Sequence, residues 1–161
     1  ELAAVDLNAL VREVLGLYET SRAKIEPKLA AKLPPVWGDS TQLRQIIHNL
    51  LRNAEDAQEA VDAPLIRIST RRSEDMAELV VSDLGPGFPP EIIARVFEPY
   101  VTTKVRGTGL GLAIVKKIVD EHHGGIRINN RQPVGAEVSI MLPLASLSTP
   151  KRRVSQLSPE A

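Results

Sequence analysis

Apolar residues near the start of the chain recur three and four positions apart. Leu7, Leu10, Val11, Val14, Leu15 and Tyr18 share one face of a helix that Asp6 can cap. A second helix is signalled more fully. Asp39 is its cap, Gln42 stands three residues on where a capping box wants it, and Leu43, Ile46, Ile47, Leu50, Leu51 and Ala54 form its core-facing stripe. Between the two, the stretch through Ile25 and Leu29 to Pro34-Pro35-Val36-Trp37-Gly38 has no clear period and predicts a short strand pair or a loop. A third helix is predicted over roughly Leu110 to His122, with Gly124-Gly125 as its stop.

The remaining elements read as strands at Ile66–Thr70, Glu78–Ser82, Ile126–Asn130 and Glu137–Leu142. Ile66/Arg67/Ile68/Ser69, Ile126/Arg127/Ile128/Asn129 and Val138/Ser139/Ile140 alternate apolar with polar. Alternation means one buried and one wetted face, whereas strands of a doubly wound parallel sheet are apolar throughout. The expected fold is therefore α/β, a two-layer α/β sandwich with three main helices on one face of a mixed β-sheet. Residues 1–143 form the predicted domain. From 144 to 161 the composition turns to Ser, Pro and a Lys151-Arg152-Arg153 cluster, which predicts a disordered tail with a solvated basic trio.

Composition narrows the function classes. The 161 residues carry a formal net charge of +0, which gives no bulk electrostatic case for nucleic acid or an anionic membrane. Any polyanionic ligand must be held by a local constellation. There are no cysteines, so disulfide and thiolate-metal frameworks are excluded. No apolar run approaches the ~18 residues needed to span a bilayer, and a cytoplasmic location is expected. Aromatics make up 3% of residues, so the core must come from Leu, Ile, Val and Ala.

Three polar constellations stand out. Asn49, Asn53 and Asp56 lie at i, i+4 and i+7 and share one face of the second helix. Asparagine is a mediocre helix former, so the pair fits either a solvated face or carboxamide ligands for Mg²⁺, which takes hard oxygen donors and bridges phosphates. Asp83-Leu84-Gly85-Pro86-Gly87-Phe88 directly follows a strand. It fits an ordinary turn, or a loop in which Asp83 accepts a hydrogen bond from the exocyclic amino group of adenine. Guanine presents an oxygen there, and leaving such a buried carboxylate unpaired costs about 1–3 kcal/mol or more. Lys104 precedes Gly107-Thr108-Gly109-Leu110-Gly111-Leu112 at the start of the third helix, a ready phosphate site of free N–H groups and positive helix dipole. Leu112 occupies the place of the third glycine of a dinucleotide fingerprint, and no G-x-x-x-x-G-K-[ST] exists, so the Rossmann and P-loop readings fail.

In this order the pieces resemble the catalytic domain of sensor histidine kinases, relatives of gyrase, the Hsp90 chaperones and the MutL repair ATPases. The N box is Gln45-Ile46-Ile47-His48-Asn49-Leu50-Leu51-Arg52-Asn53-Ala54, and the G1 box is Asp83–Phe88. The F box is Phe97–Lys104, with Phe97-Glu98-Pro99-Tyr100 at its head, and the G2 box is Gly107–Leu112. The resemblance covers about residues 6–143, and its F and G2 boxes look most like nitrogen-regulation kinases of the NtrY/NtrB type.

The resemblance implies the ATP-binding fold of that superfamily (the Bergerat fold), with ATP and Mg²⁺ as ligands. Asn53 would coordinate Mg²⁺, Asn49 would support it or contact phosphate, and Asp83 would read adenine, with Gly85 and Gly87 shaping that end of the pocket. Residues from about Pro89 to Thr108 would form a lid that Phe97 and Tyr100 anchor, with Lys104 reaching the phosphates. Gly107, Gly109 and Gly111 would flex and offer N–H groups. Thr102, Thr103, Thr108, Leu110 and Leu112 complete the implied nucleotide-contact set.

One departure is Asp56, which occupies a place where many histidine kinases carry a lysine, leaving Arg52 or Lys104 as compensating cations. Where hydrolysing relatives carry a glutamate that activates water, this chain has Asn49, which cannot take that proton. The γ-phosphate is thus expected to pass to an imidazole supplied from elsewhere. His48, His122 and His123 lack the His-Glu/Asp-x-x-x-Pro context of an acceptor, and structural roles are expected for all three, with His122 and His123 at a helix end where a cation favours the dipole. Implied partners are an upstream helical dimerisation and phosphoacceptor domain and a response regulator. This piece is expected to be monomeric and without direct membrane contact, and the resemblance implies a homodimeric parent of a family in which membrane anchoring is common. Rival readings are a self-contained ATP-hydrolysing switch, a nucleotide-binding pseudokinase and an anti-sigma-factor type serine kinase.

Overall fold

The computed structural model describes residues 1–95 and 111–145. In chain order the elements are β1 (Ala3–Val5), α1 (Leu7–Leu15), β2 (Lys24–Lys28), β3 (Val36–Gly38), α2 (Ser40–Ala57), β4 (Leu65–Ser73), β5 (Met76–Ser82), α3 (Pro90–Ile93), α4 (Gly111–Glu121), β6 (Gly125–Asn130) and β7 (Ala136–Pro143). The main sheet runs β2-β4-β5-β7-β6. Its β2–β4 pair is parallel and the other pairs are antiparallel, so the sheet is mixed as expected.

Register separates its two faces. Ile68 stands opposite Val81, Leu79 opposite Ile140, and Ala77 opposite Leu142, all buried beneath the helices. The adjacent rows carry Arg67, Ser69, Arg71 and Glu78 on the outer face, where Arg71 pairs with Glu78. The helices supply the other half of the core through Leu10, Val11 and Val14 of α1, Leu43, Ile46, Ile47, Leu50 and Leu51 of α2, and Val115, Ile118 and Val119 of α4. α1 is pinned by a buried polar trio. The Asn8 amide donates to Ala30 O at 2.8 Å, the Thr70 hydroxyl donates to Asn8 Oδ1 at 2.7 Å, and Ala30 N donates to Thr70 Oγ1 at 3.0 Å.

Both predicted caps form: Asp6 Oδ1 accepts from Ala9 N and Asp39 Oδ1 from Gln42 N, each at 3.0 Å. Several expectations change. The Ile25–Gly38 stretch holds two strands that do not pair with each other, because β2 joins the main sheet beside β4 whereas β3 pairs with β1 in a separate two-stranded sheet. The predicted boundary after residue 143 is too early. Leu144 is fully buried and bridges to Val36, and Ala145 N donates to Pro35 O at 2.8 Å. The rest of the predicted tail, 146–161, lies outside the described residues.

α4 does not end on a glycine. His123 takes the left-handed conformation at φ 59°, its N–H donates to Asp120 O, and Gly124 N donates to Val119 O. That is a Schellman ending with histidine in the position glycine usually fills. Gly124 is required for a different reason: a Cβ there would stand 2.1 Å from Met141 O of β7.

Candidate nucleotide site

The second half of α2 gathers the motif segments. Asn53 is half-buried, one turn after the half-buried Asn49 and one turn before Ala57. Gly111 opens α4 directly against Asn53, and a Cβ at 111 would lie 3.3 Å from Asn53 Oδ1. At the end of the same helix Gly85 presses on Ala57 O, where a Cβ would intrude to 2.6 Å. The N box thus has the G1 loop at its C-terminal end and the start of the G2 helix one turn earlier. Leu112 continues α4 beside Gly111 and is half-buried.

Asp83 follows β5 and is buried, as an adenine-reading carboxylate would be. Its Oδ1 accepts from Gly85 N at 2.8 Å and from Ala136 N at 3.3 Å, and its own N–H donates to Ala136 O at 3.0 Å. These bonds fix the carboxylate to β7 and to its own loop. Gly87 needs its glycine, because its φ is 80° and a Cβ would meet Asn130 Oδ1 at 2.7 Å.

Three residues outside the predicted set build this loop. Asn130, at the end of β6, accepts from Phe88 N at 2.8 Å and donates to Phe88 O at 2.7 Å. Gly135, at φ 109°, passes so close to Asp83 O that a Cβ would stand 2.1 Å away. Gln58 is fully buried; its Oε1 accepts from Leu84 N and Leu65 N, and its Nε2 donates to Ala54 O. Gly135 carries a readable turn signal after Pro133. Asn130 and Gln58 give none, since their partners lie 42 and 26 residues away.

Asp56 projects from α2 as an exposed residue, as does Arg52. Of the implied nucleotide contacts and lid anchors, Phe97, Tyr100, Thr102, Thr103, Lys104, Gly107, Thr108, Gly109 and Leu110 lie outside the described residues. Among the described residues no group of three or more His, Cys, Asp and Glu could hold a metal ion. A trough of about 670 Å³ opens elsewhere, on the outer sheet face between Lys28, Arg67, Ser82 and Arg131.

The histidines are structural in their contacts. His48 Nδ1 meets Tyr18 Oη at 2.9 Å. Burial, chiefly, pushes the Tyr18 phenol up to about 12, with the Glu55 carboxylate adding to it. His122 departs from the expected dipole-facing cation. It is buried, Nδ1 lies 2.8 Å from Ile118 O, and Nε2 accepts from Asp39 N at 3.0 Å. An accepting Nε2 places the proton on Nδ1, so the ring is a neutral strut from the end of α4 to the cap of α2.

Residues 38–146 match the family described as histidine kinase-, DNA gyrase B- and HSP90-like ATPases, and the chain belongs to that family. Within it the likeness runs to sensor histidine kinases. The catalytic domain of the histidine kinase ThkA superposes with a TM-score of 0.81 at 32% identity, covering 89% of this chain and 96% of that one. Full-length ShkA in complex with AMPPNP superposes at 0.78 with 30% identity, covering 89% of this chain and 31% of that one. An NtrY-like sensor histidine kinase of Rickettsia bellii is 44% identical over 71% of this chain and 19% of its own length. Nitrogen regulation protein NtrY of Azorhizobium caulinodans is 35% identical over 97% of this chain and 21% of its own. The chain therefore spans about a fifth of the length of these curated relatives.

Proposed function

We propose that this chain binds ATP with Mg²⁺ and donates the γ-phosphate to a histidine on a separate helical dimerisation and phosphoacceptor domain, for onward transfer to a response regulator. The observation that carries this reading is the convergence on one end of α2: Gly111 against Asn53, Gly85 against Ala57, and the buried Asp83 beyond. In this reading Asp83 is the base reader and Asn53 the carboxamide ligand, and the start of α4 beside Asn53 is suited to phosphates.

The donors fit Mg²⁺. A neutral carboxamide oxygen at Asn53 supplies one hard ligand, and phosphates supply the anionic ones, which matches an ion that binds through few protein groups plus substrate oxygens. Held there by Asn53, the ion would supply neutralisation of phosphate charge. Asp83 selects the base through its carboxylate, Asn49 stands beside the phosphates without acting as a base for water, and Gly111 leaves room for Asn53 to reach the ligand. A neutral imidazole of the acceptor domain attacks the γ-phosphorus; the bond to the β–γ bridging oxygen breaks, and ADP leaves.

The fit with kinases of the NtrY type and a cytoplasmic location belong to the same proposal. It is tested by mixing the chain with γ-labelled ATP, Mg²⁺ and a separately purified acceptor domain of the same parent protein. Acid-labile, base-stable label on that domain supports the reading. Rapid steady-state phosphate release with no labelled acceptor contradicts it and favours a hydrolytic switch.

A further inference from the structure

Gln58 joins segments that the nucleotide reading places at opposite ends of the ligand. It is the residue after α2, and its side chain is 0% exposed. One oxygen accepts two backbone bonds, from Leu65 N at 2.9 Å and Leu84 N at 3.1 Å, while the amide nitrogen reaches back to Ala54 O at 3.1 Å. Leu84 is the neighbour of Asp83, and Ala54 is the neighbour of Asn53. The Gln58 carbonyl in turn accepts from the Arg22 guanidinium at 2.7 Å, which holds the helix end from outside.

A buried carboxamide with both oxygen lone pairs and one N–H engaged has one orientation available. Gly85 closes the same junction on Ala57 O without room for a side chain. The G1 loop therefore cannot slide along α2 without breaking the bond between Gln58 and Leu84.

We infer that Gln58 is a positioning residue that sets base selectivity, by holding Asp83 at a fixed distance from Asn53. It contacts no nucleotide. Its effect passes through the Leu84 amide to the Asp83 carboxylate, and the inference rests on the reading that Asp83 recognises adenine. Loosening Gln58 should leave the phosphate end in place and blur the discrimination between a 6-amino and a 6-oxo purine.

The test measures dissociation constants of ATP and inosine triphosphate, each with Mg²⁺, for the wild-type chain, Gln58→Met and Gln58→Glu. In Gln58→Met the wild-type preference for ATP should fall about tenfold, the scale of one mispositioned buried hydrogen bond. Gln58→Glu supplies the conservative rescue. Protonated, its carboxyl repeats the donor and acceptors of the amide; ionised, it turns an oxygen on Ala54 O. Its ATP preference should therefore be close to wild type at acid pH and drop as the pH rises, while the wild-type ratio stays flat. A lowered melting temperature with an unchanged ratio in both variants overturns the inference and leaves Gln58 a structural cap. A wild-type chain that binds both nucleotides equally, or neither, removes the adenine reading itself and the inference with it.

Discussion

Gly111 faces Asn53 so closely that a Cβ at 111 would stand 3.3 Å from Asn53 Oδ1. The contact is tighter than ordinary packing, so any side chain at 111 must push the carboxamide aside. Gly111→Ala should weaken Mg²⁺-dependent nucleotide binding about three- to tenfold, with a smaller loss of metal-free binding. Asn53→Ala should remove most of the metal dependence, with little change in melting temperature because the side chain is half-buried. Titrations with and without Mg²⁺ check both variants, and equal losses in the two conditions would argue against Asn53 as the ligand.

The G1 loop is held by Asn130 and Gly135 as firmly as by its own residues. Asn130→Ala deletes two hydrogen bonds to Phe88, at a cost of about 1–2 kcal/mol in the loop. Gly135→Ala adds strain at φ 109° and a clash with Asp83 O. ATP affinity should fall in both, and amide exchange at Phe88 should accelerate in Asn130→Ala while the α2 amides remain protected.

His123 offers the opposite change. A histidine at φ 59° carries a steric cost of about 1–2 kcal/mol, part of which glycine gives back in unfolded-chain entropy. His123→Gly should raise stability by about 0.5–1 kcal/mol, read as a melting temperature higher by a few degrees. Gly124→Ala, one position on, should destabilise, because Met141 O blocks it.

Tyr18 sets an alkaline limit. Its folded-state value of about 12 lies above the ordinary 10.0, so the neutral phenol's contribution is whole below about pH 10. That contribution is lost as the pH rises through about 12. Tyr18→Phe should cost about 1 kcal/mol at neutral pH through the lost contact with His48, and should flatten the fall in stability between pH 10 and 12. Urea unfolding across that window measures it.

What the sequence made legible follows from how local each signal is. The caps at Asp6 and Asp39 and the stripes of α1 and α2 are written within a few residues, and they form as read. The alternation of β4 and β7 reported a one-sided sheet for the same reason. β1 is three residues with one buried side chain, too short for any period to show. β2, Lys-Ile-Glu-Pro-Lys, is a polar edge strand whose proline masks it. The N box, G1 box and the opening of α4 were readable because their glycines and asparagines are unusual where they stand. Gln58, Asn130 and His122 act across 26 to 83 residues, and only the folded chain brings them to their partners.

Calorimetric titration of ATP with Mg²⁺ into the 161-residue chain and its Asp83→Asn variant tests whether Asp83 recognises adenine. The amide keeps the size of the carboxylate while losing its charge, so Asp83→Asn should still fold and bind ATP at least about tenfold more weakly than wild type. Saturable wild-type binding with that loss is the predicted result. Wild-type and variant chains that bind ATP alike, or a folded wild-type chain that does not bind it, would contradict the account.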